Sequence, residues 1–140
     1  MMLLFLVMQF LDLTKRDLEL VEKARDLIEK RKSDRSSVAS VLRTRSGRVF
    51  EGVNIEIQCS APCSICAEYA AIGTMFSEGE EEIETIVAYS FKKRGHVLPP
   101  CGKCRQFIAD FGDPYVIVPA DKKLKKVKLS ELYPLPVASK

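Results

Sequence analysis

Two short stretches, Cys63-Ser64-Ile65-Cys66-Ala67-Glu68 and Pro100-Cys101-Gly102-Lys103-Cys104, hold four of the five cysteines of this chain. Thiolates with two residues between them can share one metal ion, and zinc is the usual partner of such a pair. Buried, inert cysteine is the plainer reading, but the spacing of Cys101 and Cys104 favours metal. The first stretch leaves two alternatives. With Cys63 included, the site has four thiolates and is closed, as in a structural zinc knot. With only Cys66, Cys101 and Cys104, one coordination position stays open for water, as hydrolysis requires. Glu68 favours the open site. Hydrolytic removal of an amine from an amidine-like ring needs a non-ligand carboxylate. That group carries a proton from water to the ring nitrogen and then to the departing amine. A structural knot has no use for it, and the plain reading of Glu68 is an exposed helix residue.

Two helix starts must converge to bring these residues together. Cys66 opens a helix predicted over about Ser64–Phe76, rich in Ala, Ile and Met and ended by Ser77-Glu78-Gly79. Cys101 and Cys104 open another, closed by Gly112, with Pro100 read as its helix-start residue. Unpaired N–H groups and the helix dipole favour a thiolate at such a position. An earlier helix is predicted over 14–35, capped by Thr14 with Asp17 three residues on. Its apolar stripe is Leu18, Leu20, Val21, Ala24, Leu27 and Ile28. Between the helices lie runs of strand character: a hairpin turning at Arg45-Ser46-Gly47, then "IETIVAYS" and "PYVIVPA". "FKKRGHVLPP" reads as a loop and "LSELYP" as a last helical turn. A hairpin followed by alternating strands and helices predicts an α/β sandwich with parallel pairing among the later strands.

The bulk numbers set limits. At 140 residues the chain is one domain's worth and large enough for its own core. A net charge of +3 is too small to imply a polyanionic partner. An odd count of five cysteines suits reduced, metal-binding thiols better than a disulfide framework. The apolar arm 1–13 lacks a basic flank and a cleavage site, and is too short to span a bilayer. It packs on the domain or on a neighbouring subunit, unless Met8 is the true start. "KKLKKVK" at 122–128 is read as a charged edge strand in preference to a phosphate-contacting patch.

From Ser37 to Pro134 the chain resembles the cytidine deaminase family, on "CAE" (66–68), "PCGKCRQ" (100–106) and "NIE" (54–56). The resemblance implies a single domain with a three-layer sandwich, a mixed five-stranded sheet with helices on both faces. It implies one Zn²⁺ per subunit on Cys66, Cys101 and Cys104, Glu68 as proton carrier, and Asn54 and Glu56 on the sugar hydroxyls. It further implies hydrolysis of free cytidine or deoxycytidine in pyrimidine salvage, in a cytoplasmic homotetramer, with no nucleic-acid or membrane partner. A Cys as first ligand is like the free-nucleoside enzymes and unlike the editing deaminases. His96, the only histidine, lies outside the ligand positions. Several positions depart from the family pattern. The stretch Ser36–Ser40 lacks the usual Phe, Tyr69 stands for an Arg, and no Phe follows "LYPLP". With Tyr69 there, the helix starts and Arg105 are expected to offset thiolate charge. "SVAS" (37–40), Gly95 and "PCGKCRQ" are similar to blasticidin-S deaminases, which act on a larger cytosine nucleoside and generally differ at Glu56.

Overall fold

The computed structural model describes residues 8–92 and 96–138. Six strands form one sheet: β1 (Val38–Thr44), β2 (Val49–Val53), β3 (Ile83–Ser90), β4 (His96–Leu98), β5 (Tyr115–Ala120) and β6 (Lys123–Lys128). The continuous order is β2-β1-β3-β5-β6, with β4 joined to β3. All pairings are antiparallel except β3 with β5. The helices are α1 (Lys15–Arg31), α2 (Ala67–Ser77), α3 (Gly102–Ala109) and a single turn, α4 (Leu129–Leu132). Leu20, Ala24 and Ile28 of α1 pack on Ala39, Val41, Val87 and Ile117 on one face of the sheet. On the other face Ala71, Ile72 and Met75 of α2 and Ile108 of α3 pack on Leu42, Ile86 and Val116. The expected three layers and mixed sheet are present, the five expected strands forming the continuous path.

The differences have local causes. β4 lies inside the segment read as a loop, because three residues before a double proline carry almost no periodic signal. It pairs with the end of β3 through Ala88, Tyr89 and Ser90. Gly95 lies outside the described residues, as do residues 1–7 of the arm. Helix α1 ends at Arg31, short of position 35, because Ser33 and Ser36 exchange backbone hydrogen bonds and the Ser33 hydroxyl accepts from the Arg35 N–H. Leu18, assigned above to the apolar stripe, is 48% exposed. Helix α2 starts at Ala67, not near Ser64, because Ile65 is held extended by reciprocal hydrogen bonds with Ile55 at 2.9 and 3.0 Å. The hairpin turn is as expected, with Gly47 at φ +93°.

Thr14 and Asp17 form a reciprocal capping box. The Asp17 carboxylate, fully buried, also accepts from Arg43 of β1 at 2.9 Å and Lys126 of β6 at 2.8 Å. Arg43 reaches Glu84 of β3 at 2.9 Å as well. Burial pushes the Asp17 carboxyl up, but hydrogen bonds from Lys126, Arg43 and Thr14 together outweigh it and hold the group far below the ordinary carboxylate range. One buried carboxylate thus ties α1 to β1 and β6 directly, and to β3 through Arg43. The described part of the arm packs on the domain: Leu11 bridges Lys126 of β6, and the Gln9 N–H donates to Glu131 at 2.8 Å.

Candidate active site

Cys66 is the N-cap of α2 and Cys101 the N-cap of α3, both in extended backbone conformation. Glu68 is the second residue of α2, and Cys104 the third of α3. Pro100 therefore precedes the cap and is not the first helical residue, as expected above. Its carbonyl accepts from the Arg105 Nε at 2.8 Å. Both helices rest on the same face of the sheet, so their starts open on one cavity of about 280 Å³. Cys66, Cys101, Cys104 and Glu68 line one part of it. Asn54 and Glu56, just past the end of β2, line another, and Val38, Ala88, Leu98 and Pro99 supply apolar walls. Among the residues that line it there is no aromatic side chain.

The three cysteines and Glu68 share one electrostatic neighbourhood. Cys104 is buried; burial first, then the charges of Glu68, Cys66 and Cys101, push its thiol well above the ordinary range. Glu68 is only 8% exposed. Burial pushes its carboxyl up, offset in part by its own backbone N–H and the Cys104 thiol. The Tyr69 hydroxyl is pushed up by burial and by the charges of Cys104, Cys66, Cys101 and Glu68. Among the described residues no three His, Cys, Asp or Glu side chains stand as a preformed ligand cluster. The chemistry of the donor set nonetheless fits a metal ion. Three thiols gathered around one poorly solvated pocket are the donors a soft divalent ion prefers.

Arg105, expected to offset thiolate charge, is committed elsewhere: its guanidinium also donates to the Leu132 carbonyl at 2.8 Å. Lys103, which precedes Cys104 in α3, places its Nζ 5.0 Å from the centre of the Tyr69 ring. Cys63 sits exposed in a 3₁₀ turn, Ala61–Cys63, with its Sγ 3.4 Å from the Ser60 hydroxyl, and does not line the cavity. Cys59 is exposed too. His96 is exposed on β4 and does not line the cavity either.

Asn54 is held rigidly. Its Oδ1 accepts from the Ser37 N–H at 2.8 Å, the Val38 N–H at 2.9 Å and the Ser36 hydroxyl at 3.3 Å. Because two of those donors are backbone groups, the orientation of the amide is fixed, and only its Nδ2 remains free to donate. Sequence reasoning missed this clamp; "RSSV" before a strand shows no signal that its N–H groups converge on a side chain 16 to 18 residues away.

Residues 14–120 match the family model described as "Cytidine and deoxycytidylate deaminase zinc-binding region". The chain belongs to that family. Blasticidin-S deaminase of Bacillus cereus is 35% identical over 136 residues, covering 91% of this chain and 96% of the relative. Cytidine deaminase of Halalkalibacterium halodurans is 33% identical over 109 residues, covering 71% of this chain and 76% of the relative. Among solved structures, the cytidine deaminase of Mycobacterium leprae superposes with a TM-score of 0.73 at 23% identity, covering 87% of this chain and 99% of that one. That likeness concerns the fold. Family membership carries a zinc-binding region with it.

Proposed function

We propose that this protein is a zinc-dependent hydrolase that removes the exocyclic amine of a free cytosine nucleoside, releasing ammonia. One observation carries the reading: a buried carboxylate, Glu68, and three thiols face the same cavity as the hydrogen-bonding pair Asn54 and Glu56. Cys66, Cys101 and Cys104 would hold one zinc ion per chain. Bound there, zinc supplies the Lewis acidity that makes water nucleophilic near neutral pH. The remaining work falls to the chain. Glu68 takes a proton from the attacking water and delivers it to the ring nitrogen. Once the C–O bond has formed, it takes the proton left on that oxygen and gives it to the amine as the C–N bond breaks and a C=O remains, so that water enters and ammonia leaves. Its burial favours the protonated form that this shuttle passes through.

Donor polarity at Asn54 and Glu56 suits the sugar half of a nucleoside. Asn54 can only donate, and an ionised Glu56 can only accept. Together they suit a hydroxyl, which accepts from one and donates to the other. The apolar walls then suit the planar base. A second reading, a blasticidin-S-type substrate, is favoured by the absence of an aromatic side chain from the cavity lining and by the B. cereus relative. Cytoplasmic homotetramers acting in pyrimidine salvage go with the first reading. Ammonia release from zinc-loaded protein given cytidine, deoxycytidine and blasticidin S tests both. Turnover of the first two supports the first reading, turnover of blasticidin S alone the second, and turnover of none rejects both.

A further inference from the structure

Gly52 lies in β2, two residues before Asn54, with its backbone against the first turns of α2. A Cβ at this position would stand 2.4 Å from the Ala71 nitrogen, 2.6 Å from the Ala70 Cβ and 2.7 Å from the Ala70 carbonyl carbon. Two of those atoms are backbone, so no rotamer change relieves the overlap. The helix therefore packs directly on the strand. That helix begins with Cys66 and Glu68, and that strand runs into Asn54 and Glu56.

We infer that Gly52 is a positioning residue: its missing side chain sets the separation between the strand end that grips the substrate and the helix start that carries the reaction. The inference rests on the roles proposed above for those four residues. A methyl group at 52 forces the strand and helix apart. Helix α2 is held besides by Ala71, Ile72 and Met75, buried against the rest of the sheet, and by the Tyr69 ring, 4.1 Å from that of Phe107 in α3. Strand β2 is at the sheet edge, paired with β1 alone. The displacement falls mainly on β2 and its exit, hence on Asn54 and Glu56.

The test compares wild type with Gly52→Ala, Ala70→Val and Val53→Ala. Ala70→Val wedges the same contact from the helix side. Val53→Ala loosens β2 against the α1 side of the sheet without touching α2, and serves as a matched destabilisation. Zinc per chain, thermal midpoint, kcat, KM and cytidine binding by equilibrium dialysis are measured on each. Gly52→Ala is expected to keep its zinc and lose about 10²-fold in kcat/KM, mostly through KM, as a misplacement of about an ångström does. Ala70→Val should lose less in the same direction. Val53→Ala should lower the midpoint and leave KM unchanged. Folded Gly52→Ala that binds cytidine as wild type does overturns the inference, as does Val53→Ala raising KM as much. Should Gly52→Ala not fold, an unchanged KM in Ala70→Val overturns it. Wild-type protein that binds cytidine without turning it over sinks the proposed function, and cytidine dialysis still decides the role of Gly52.

Discussion

Cys63 and Cys66 are three residues apart, yet the fold treats them differently. The Ile55–Ile65 bridge and the turn at Ala61–Cys63 leave Cys63 outside, while Cys66 caps the helix that faces the cavity. We expect Cys63→Ser to retain zinc and most activity, and Cys66→Ser to lose the metal, measured as zinc per folded chain. Loss of zinc from Cys63→Ser would restore the closed, structural reading. Asn54 gives a finer test. Asn54→Asp keeps an oxygen for the Ser37 and Val38 N–H groups but removes the Nδ2 donor. A lost buried hydrogen bond of about 1–3 kcal/mol corresponds to a rise in KM of roughly 5- to 150-fold, with the thermal midpoint nearly unchanged. An unchanged KM would remove Asn54 from the substrate site. That Cys66, Glu68, Cys101 and Cys104 share one cavity was legible because the chemistry they suggest demands residue types at fixed spacing. The Asn54 clamp was not, because its donors are backbone groups, identical in every residue.

The helices and strands hold these residues still, and a single buried carboxylate adds ion pairs to β1 and β6 to the apolar packing of α1. Removing the charge of Asp17 leaves Arg43 and Lys126 facing a neutral amide in a dry site. Breaking such a pair from one side costs about 3–5 kcal/mol, so Asp17→Asn should lower the unfolding free energy by that order in urea. The pH dependence follows from the sign of the shift. The Asp17 carboxyl is held below its ordinary value of 3.8 in the folded chain, so its contribution is complete at neutral pH. It is lost progressively as the pH falls below about 5, where the unfolded chain takes up the proton first. Wild-type stability should therefore fall between about pH 5 and 3 more steeply than that of Asp17→Asn. Equal slopes would show that other carboxylates dominate. The capping box itself was readable as Thr14-x-x-Asp17, since capping is local. That Asp17 also pairs with strands 26 and 109 residues later was not, because pairing across the sheet is set by the fold. β4 escaped notice for a similar reason, having only three residues and one paired neighbour.

At the scale of the whole molecule, the lysine-rich segment is β6, at the edge of the sheet. Lys125 pairs with Asp12 and Lys126 with Asp17. Lys126 and Lys128 lie 4.8 and 4.1 Å from the centre of the Tyr115 ring, and Lys128 also donates to the Asp113 carbonyl. Charges spent within the fold make a poor phosphate track, so titration with single-stranded DNA or RNA should show only weak binding that fades as salt rises. Tight binding at physiological salt would contradict this. Among the described residues no helix is long and apolar enough to cross a membrane. The sandwich was legible as a whole because period-two and period-3.6 runs alternate along the chain. The sheet order was not, since strands β1 and β3, adjacent in space, are separated in sequence by β2 and α2.

The central claim is that Glu68, beside a zinc held by Cys66, Cys101 and Cys104, moves the protons of a deamination. The most direct measurement compares ammonia release from the best cytosine nucleoside by zinc-loaded wild type and Glu68→Gln, with zinc per chain determined on the same samples. The claim predicts equal zinc in both and a loss of turnover in Glu68→Gln of at least about 10²-fold, the scale of general acid–base catalysis. Wild-type turnover from Glu68→Gln with its zinc intact would contradict it.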